Sequence, residues 1–203
     1  MQGTVSIHQG PYESIPENAS PGLRFLTRFL PAMDSVNPTQ DPVDSFFKSN
    51  ASIIIGSNPS KPVQPATHYE SQSRFLSHFH RHIHMAWDMD LTNTNLNTVD
   101  SNTTGESQHP LDRPEADAQN PYPLIRYSVM FEATSEAIFK DDPDQFPVKT
   151  REFNVLELEG TSDADLRIIQ MRIFFDTKPI QARAASLTKS SAYGESQRET
   201  QAD

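Results

Sequence analysis

Between residues 82 and 91 the sequence reads HIHMAWDMDL, and for most of that run apolar and polar side chains take turns. A period of two belongs to an extended strand with one face against a core and the other in water. Three later segments are as long and as rich in β-branched and aromatic residues: 125–139 (IRYSVMFEATSEAIF), 147–159 (PVKTREFNVLELE) and 166–176 (LRIIQMRIFFD). The short turn sequences KDDPDQ and GTSDAD separate them. Turns of that length join antiparallel neighbours into hairpins, so the second half of the chain must be built around a sheet.

The first half has a different period. Leu23, Phe25, Leu26, Phe29 and Leu30 recur at three- and four-residue spacing, which predicts a helix with one buried stripe, ending near Pro31 or a turn later. Asp41 before Pro42 suits a cap and a proline in the first helical turn, so Val43, Phe46 and Phe47 read as the apolar side of a second, short helix. Residues 51–56 (ASIIIG) are β-branched and precede the turn SNPSKP, the pattern of a first strand opening a hairpin. A third helix is expected over 69–79, with Phe75, Leu76 and Phe79 inward. Helices first and long strands afterwards define an α+β class.

The 203 residues are 35% hydrophobic, enough for one core and too little for two. Residues 1–20 and 184–203 are polar and rich in breakers, so both are expected to lie loose around a domain spanning 21–183. Residues 92–123 hold almost no large apolar side chain and are expected to form a surface loop within that domain. The formal net charge of −10 repels phosphate backbones, and no Lys/Arg cluster offsets it, so nucleic acid is not an expected partner. The chain has no cysteine, which removes disulfides, thiolate nucleophiles and Cys-based metal sites, and suits a reducing compartment. The first 21 residues lack the basic and apolar regions of a signal peptide, and nowhere do 18 apolar residues run together, so a soluble, cytoplasmic protein with no membrane span is expected.

Two segments sharpen the fold reading. Ser73 to Phe79 (SRFLSHF) leads into a strand HIHMAWDM, and the last strand reads RIIQMRIFFDTKPIQA, with an aromatic and an Asp closing it. Together with the order of elements, they resemble the nuclear transport factor 2-like superfamily, in its SnoaL-like branch of polyketide cyclase/dehydratase-like domains. The resemblance covers about residues 22–183. It implies a cone-shaped curved antiparallel sheet wrapped by N-terminal helices, an α+β barrel of cystatin-like arrangement. Members include dehydratases, isomerases and cyclases acting on polyketide or terpenoid intermediates, and also noncatalytic subunits and dimerisation modules, so fold alone does not select among them. In the enzymes an apolar pocket at the open end of the cone contains carboxylates, histidines or tyrosines, a setting that moves an acid or imidazole toward neutral pKa.

Strand parity then sorts the candidates. Ile83, Met85, Trp87, Met89 and Leu91 form the apolar face of their strand, which leaves His82, His84, Asp88 and Asp90 opposite unless a bulge reverses one of them. Trp87 is expected to line or floor the cone, with core filling the plainer role, and Met85 and Phe131 join it as ligand-contacting side chains. Tyr127, in register with Val129 and Phe131, can present its hydroxyl to a cavity or simply pack. Asp176 sits where the resemblance implies a strand-end acid, although capping the turn before Lys178 and Pro179 is its simpler role. His84, Tyr127 and Asp176 are thus the candidate catalytic residues. Arg151, Glu152 and Asn154 lie on a strand whose two faces are both mixed, so their direction stays open.

The run HFHRHIH places His78, His80, His82 and His84 at alternate positions, but a helix-to-strand boundary within it scatters the rings, and no metal site is expected. No cofactor is expected either. The reading is a cofactor-independent lyase, isomerase or cyclase for a small hydrophobic metabolite. The alternative is a noncatalytic ligand-binding or dimerisation module, a homodimer through the outer face of the sheet.

Overall fold

The structure is a computed structural model, and it describes residues 4–37, 42–56, 62–92 and 123–199. The chain opens with β1 (Val5–Gln9), a 3₁₀ turn at Tyr12–Ser14 and α1 (Pro21–Asp34). A second 3₁₀ turn (Val43–Phe46) leads into β2 (Phe47–Ile55), followed by α2 (Pro65–Phe75) and β3 (Leu76–Asp90). The sequence closes with β4 (Ile125–Phe139), β5 (Val148–Gly160), β6 (Arg167–Phe175) and α3 (Lys178–Glu199). The strands form one curved sheet in the order β1-β3-β4-β5-β6-β2. Neighbours run antiparallel except β2, which lies parallel to β6.

The stripe read from α1 is the centre of the core. Phe25, Leu26, Phe29, Leu30 and Met33 are fully buried, against Val129 and Phe131 of β4, Leu156 of β5 and Ile168 and Met171 of β6. Phe25 and Phe29 stack at 5.6 Å, and Phe29 meets Phe46 and Phe47 edge-on at 5.6 and 5.9 Å. Each such side chain contributes about 1.5–3 kcal/mol by leaving water, so α1 holds the concave side of the sheet shut.

The α+β cone expected from the sequence is therefore present, with local differences. Residues 5–9 are not loose but pair as an edge strand with β3, Ile7 opposite Trp87, and Ile15 enters the core at 8% exposure. Five alternating residues are too few to signal a strand when the partner lies some eighty positions on. The C-terminal segment is helical in backbone to Glu199, where a loose segment was expected from residue 184. The loop expected at 92–123 falls almost wholly outside the described residues. The short helix expected at 42–47 is a single 3₁₀ turn, and β2 begins at Phe47. Its hairpin reduces to one bridge, Ile53 with Val63, because β2 takes its ladder from β6.

The third helix starts earlier and ends earlier than its apolar spacing suggests. Pro65 occupies its first turn, and at Leu76 the backbone becomes extended to pair with Phe139. All four alternate histidines consequently sit on β3. A bulge between Ile83 and Met85 then reverses the parity of that strand. Before it Arg81 and Ile83 point inward; after it Ala86 and Asp88 do, at 0% and 2% exposure. Trp87 faces outward, where its ring meets Phe153 at 6.3 Å, so the expected interior aromatic is on the sheet's outer surface.

Candidate active site inside the cone

On β5 the inward positions are Val148, Thr150, Glu152, Asn154, Leu156 and Leu158, so the upper half of the strand carries three polar side chains into the interior. Arg81 of β3 meets them. Its Nε donates to Glu152 Oε1 at 2.6 Å, and its Nη1 donates to Asp34 Oδ1 at 2.5 Å at the end of α1. The Arg81 backbone N–H also donates to Asp34 Oδ2 at 2.8 Å, which ties the strand to the helix terminus. Asn154 Nδ2 donates to the same Glu152 oxygen at 3.2 Å. The guanidinium lies 4.2 Å from the centre of the Phe79 ring.

Arg81 is 3% exposed and Glu152 6%. A pair buried to this degree is weak support for stability, because desolvating both charges cancels much of their attraction. Charged groups held in a cleft at such a cost mark a candidate site. Burial alone would lower the Arg81 pKa, but Glu152 and Asp34 outweigh it and hold the guanidinium firmly charged.

A cavity of about 160 Å³ opens beside the pair, between α2 (His68, Ser71, Gln72), Arg81, Ser135, Glu152 and the start of α3. His68 has its pKa pushed down to about 4, first by burial and then by the charge of Arg81, so its imidazole is neutral at pH 7. Glu152 Oε2 and Arg81 Nη2 have no hydrogen-bond partner among the described residues. Gln72 Nε2 and Asn154 Oδ1 are buried without one. The interior thus offers an acceptor, donors and a neutral imidazole around a space the size of one ring.

A larger groove of about 740 Å³ runs outside α1, past Tyr12, Arg24, Arg28 and Asp163. Its ion pair, Arg24 to Asp163, has side chains 42% and 48% exposed. Water screens it, so the smaller interior cavity holds the stronger electrostatics. Near the N-terminus of α1, Asp88 Oδ2 accepts the Gly22 N–H at 2.9 Å, and burial raises the Asp88 pKa. That carboxyl serves as a helix cap reached from the sheet.

None of the six residues singled out from the sequence lines the interior cavity. His84 is exposed on the outer face, its Nε2 at 2.8 Å from Thr134 Oγ1. Met85 lies at the bulge, opposite Glu132 on that same outer face. Phe131 is fully buried core. Tyr127 does point inward, 8% exposed, but it stands eight residues from Ser135 along β4, roughly 27 Å by strand rise. Asp176 is exposed, and its Oδ1 accepts the Lys178 N–H at 3.0 Å, capping the start of α3. The residues that do meet, His68, Arg81, Glu152 and Asn154, were hidden by the bulge in β3 and by the mixed faces of β5. Their one legible signal is the polar alternation Thr150, Glu152, Asn154, which continues straight into Leu156 and Leu158. Among the described residues no three His, Asp or Glu side chains converge as metal ligands, and no helix is long and apolar enough to cross a membrane.

No family model matches this sequence, and neither does any curated protein. Solved structures do. PrhC from Penicillium brasilianum NBRC 6234 superposes with a TM-score of 0.50 at 12% identity, over 85% of this chain and 91% of that one. The chain has the nuclear transport factor 2-like fold. BvnE pinacolase from Penicillium brevicompactum also matches this chain, with a TM-score of 0.48 at 11% identity over 85% of it and 96% of the pinacolase. A further match is the C. albicans Mtr2-Mex67 M domain complex, at 0.42 and 13% over 77% and 94%. At 12% identity the likeness to PrhC speaks for the fold alone.

Proposed function

We propose that this chain moves a proton on a small hydrophobic metabolite inside the cone, as an isomerase, lyase or cyclase, with Glu152 as the proton acceptor. The observation that carries this reading is a buried carboxylate held by Arg81 and Asn154 through one oxygen, while the other is unengaged beside the cavity. In the proposed step a substrate C–H bond breaks, its proton goes to Glu152 Oε2, and the electron pair passes to an adjacent carbonyl oxygen. In this reading Arg81 Nη2 and the neutral His68 donate hydrogen bonds to that oxygen. Return of the proton to a different carbon completes an isomerisation; loss of a leaving group instead makes a lyase. The cysteine-free composition fits a proposed cytoplasmic location.

The test is deuterium incorporation into a panel of small cyclic and aromatic ketones in D₂O, followed by NMR. Wild-type protein should accelerate exchange at the carbon beside the carbonyl in at least one of them, and Glu152→Gln should abolish it. No exchange and no ligand-induced rise in melting temperature across the panel would overturn the reading.

A second reading, a homodimer through the outer sheet face, is favoured by one observation. Ile7, 61% exposed, stands opposite Trp87, whose ring meets Phe153 at 6.3 Å, and Phe153 meets Phe174 at 6.5 Å, the two phenylalanines each 36% exposed. Sedimentation should then give a dimer that Trp87→Glu dissociates, and a monomer at all concentrations would exclude it.

A further inference from the structure

The charges around the cavity do not balance, and the imbalance bears on what can enter it. Among the described residues Arg81 is the only cation lining the space, and it is already engaged by two carboxylates, Glu152 at 2.6 Å and Asp34 at 2.5 Å. With His68 neutral, Arg81, Glu152 and Asp34 together carry a net charge of −1; His80, whose Nδ1 lies 3.4 Å from Asp34 Oδ2 and which does not line the cavity, offsets that charge only when protonated. Asp34 itself does not line the cavity; its side chain is 9% exposed and lies behind the guanidinium. The remaining hydrogen-bonding capacity on the cavity side includes Arg81 Nη2 and the amide of Gln72, whose Nε2 is buried and unpartnered.

From this arrangement we infer that the cavity selects an uncharged, single-ring carbonyl compound and rejects the corresponding carboxylate, with Asp34 acting through Arg81 as the residue that sets the selection. This rests on the proposed proton-transfer reading and names its substrate class. An arginine facing a cavity ordinarily recruits carboxylates in a two-pronged geometry. Here Nε and Nη1 are turned to the protein's own acids, which leaves one nitrogen for one oxygen. A ligand carboxylate would add a second uncompensated negative charge in a partly desolvated space. The size agrees: about 160 Å³ matches the volume that accommodates one six-membered ring, roughly 150 Å³.

The experiment compares acetophenone with benzoate, two molecules of nearly the same shape, by calorimetric titration at pH 7.5. Wild-type protein should bind acetophenone at least about tenfold more tightly than benzoate. Asp34→Asn, which keeps the shape and removes one negative charge, should shift the ratio toward benzoate by about tenfold. If benzoate binds wild-type as well as acetophenone does, the inference falls, and this comparison holds even if the variant does not fold. An unchanged ratio in a folded Asp34→Asn protein removes Asp34 from the account. Ketone deuteration that proceeds while benzoate binds equally well overturns the selection and leaves the proton-transfer reading standing. Absence of both binding and deuteration overturns the two together.

Discussion

Replacing Gly22 by alanine sets two physical effects against each other, and the structure says which wins. Gly22 lies in the first turn of α1, where alanine ordinarily gains up to about 1 kcal/mol in helix propensity. A Cβ built there would sit 2.4 Å from Asp88 Oδ1 and 2.5 Å from Val129 Cγ2, both in the packed interior. Both neighbours end in short side chains packed in the interior, Asp88 2% exposed with its other oxygen held by the Gly22 N–H and Val129 fully buried, so helix and sheet must part. Overpacking of this kind costs about 1–3 kcal/mol, and loss of the Gly22 N–H bond to the buried carboxyl adds about 1.5–3 kcal/mol. Set against the propensity gain, Gly22→Ala should destabilise the fold by about 1.5–5 kcal/mol. In thermal unfolding that is a fall of at least about 3 °C for a domain of this size. Val129→Ala removes one of the two clashing groups, so the double variant should lose less than the sum of the two single changes. An unchanged or raised melting temperature in Gly22→Ala would refute the close approach of α1 to the sheet, and with it the placement of Asp88 as a cap.

Arg81→Met should cost about 3–5 kcal/mol in urea denaturation, because Asp34 and Glu152 are left buried without their cation; adding Asp34→Asn and Glu152→Gln should recover much of it. His68 contributes a pH dependence of definite sign. Its folded pKa of about 4 lies below its unfolded value, so its contribution is complete above about pH 6.5 and is lost as the pH falls toward 4. His68→Gln should therefore flatten the acid side of the stability profile, and an identical slope in the two proteins would refute a neutral buried imidazole. Phe131→Ala should cost about 3–5 kcal/mol, while Trp87→Ser on the outer face should cost less than half as much by the same denaturation assay. His84→Ala should leave both ketone deuteration and stability unchanged, since its ring is exposed on the outer face, hydrogen-bonded to Thr134 and away from the cavity.

Much of the architecture was legible because burial imposes a period. The α1 stripe and the alternation in β4 each follow from one face meeting a core and the other meeting water, and each reappears in the burial of the folded chain. The site was not legible. Glu152 and Asn154 share a strand with outward Arg151 and Phe153, so side-chain type could not say which face was inside. Arg81 stands between His80 and His82, and nothing in that run marks it as the residue that turns inward.

Sequence by itself determined the α+β class, one core with an amphipathic helix against long antiparallel strands, because amphipathic periods are local properties of the chain. Tertiary structure decided the orientation of β3, the edge position of β1 and the meeting of Arg81 with Glu152, seventy-one positions away, and Asp34, forty-seven away. The physical reason is that one extra residue at the bulge between Ile83 and Met85 reverses every later side chain on that strand, and only pairing with β4 reveals where that residue falls.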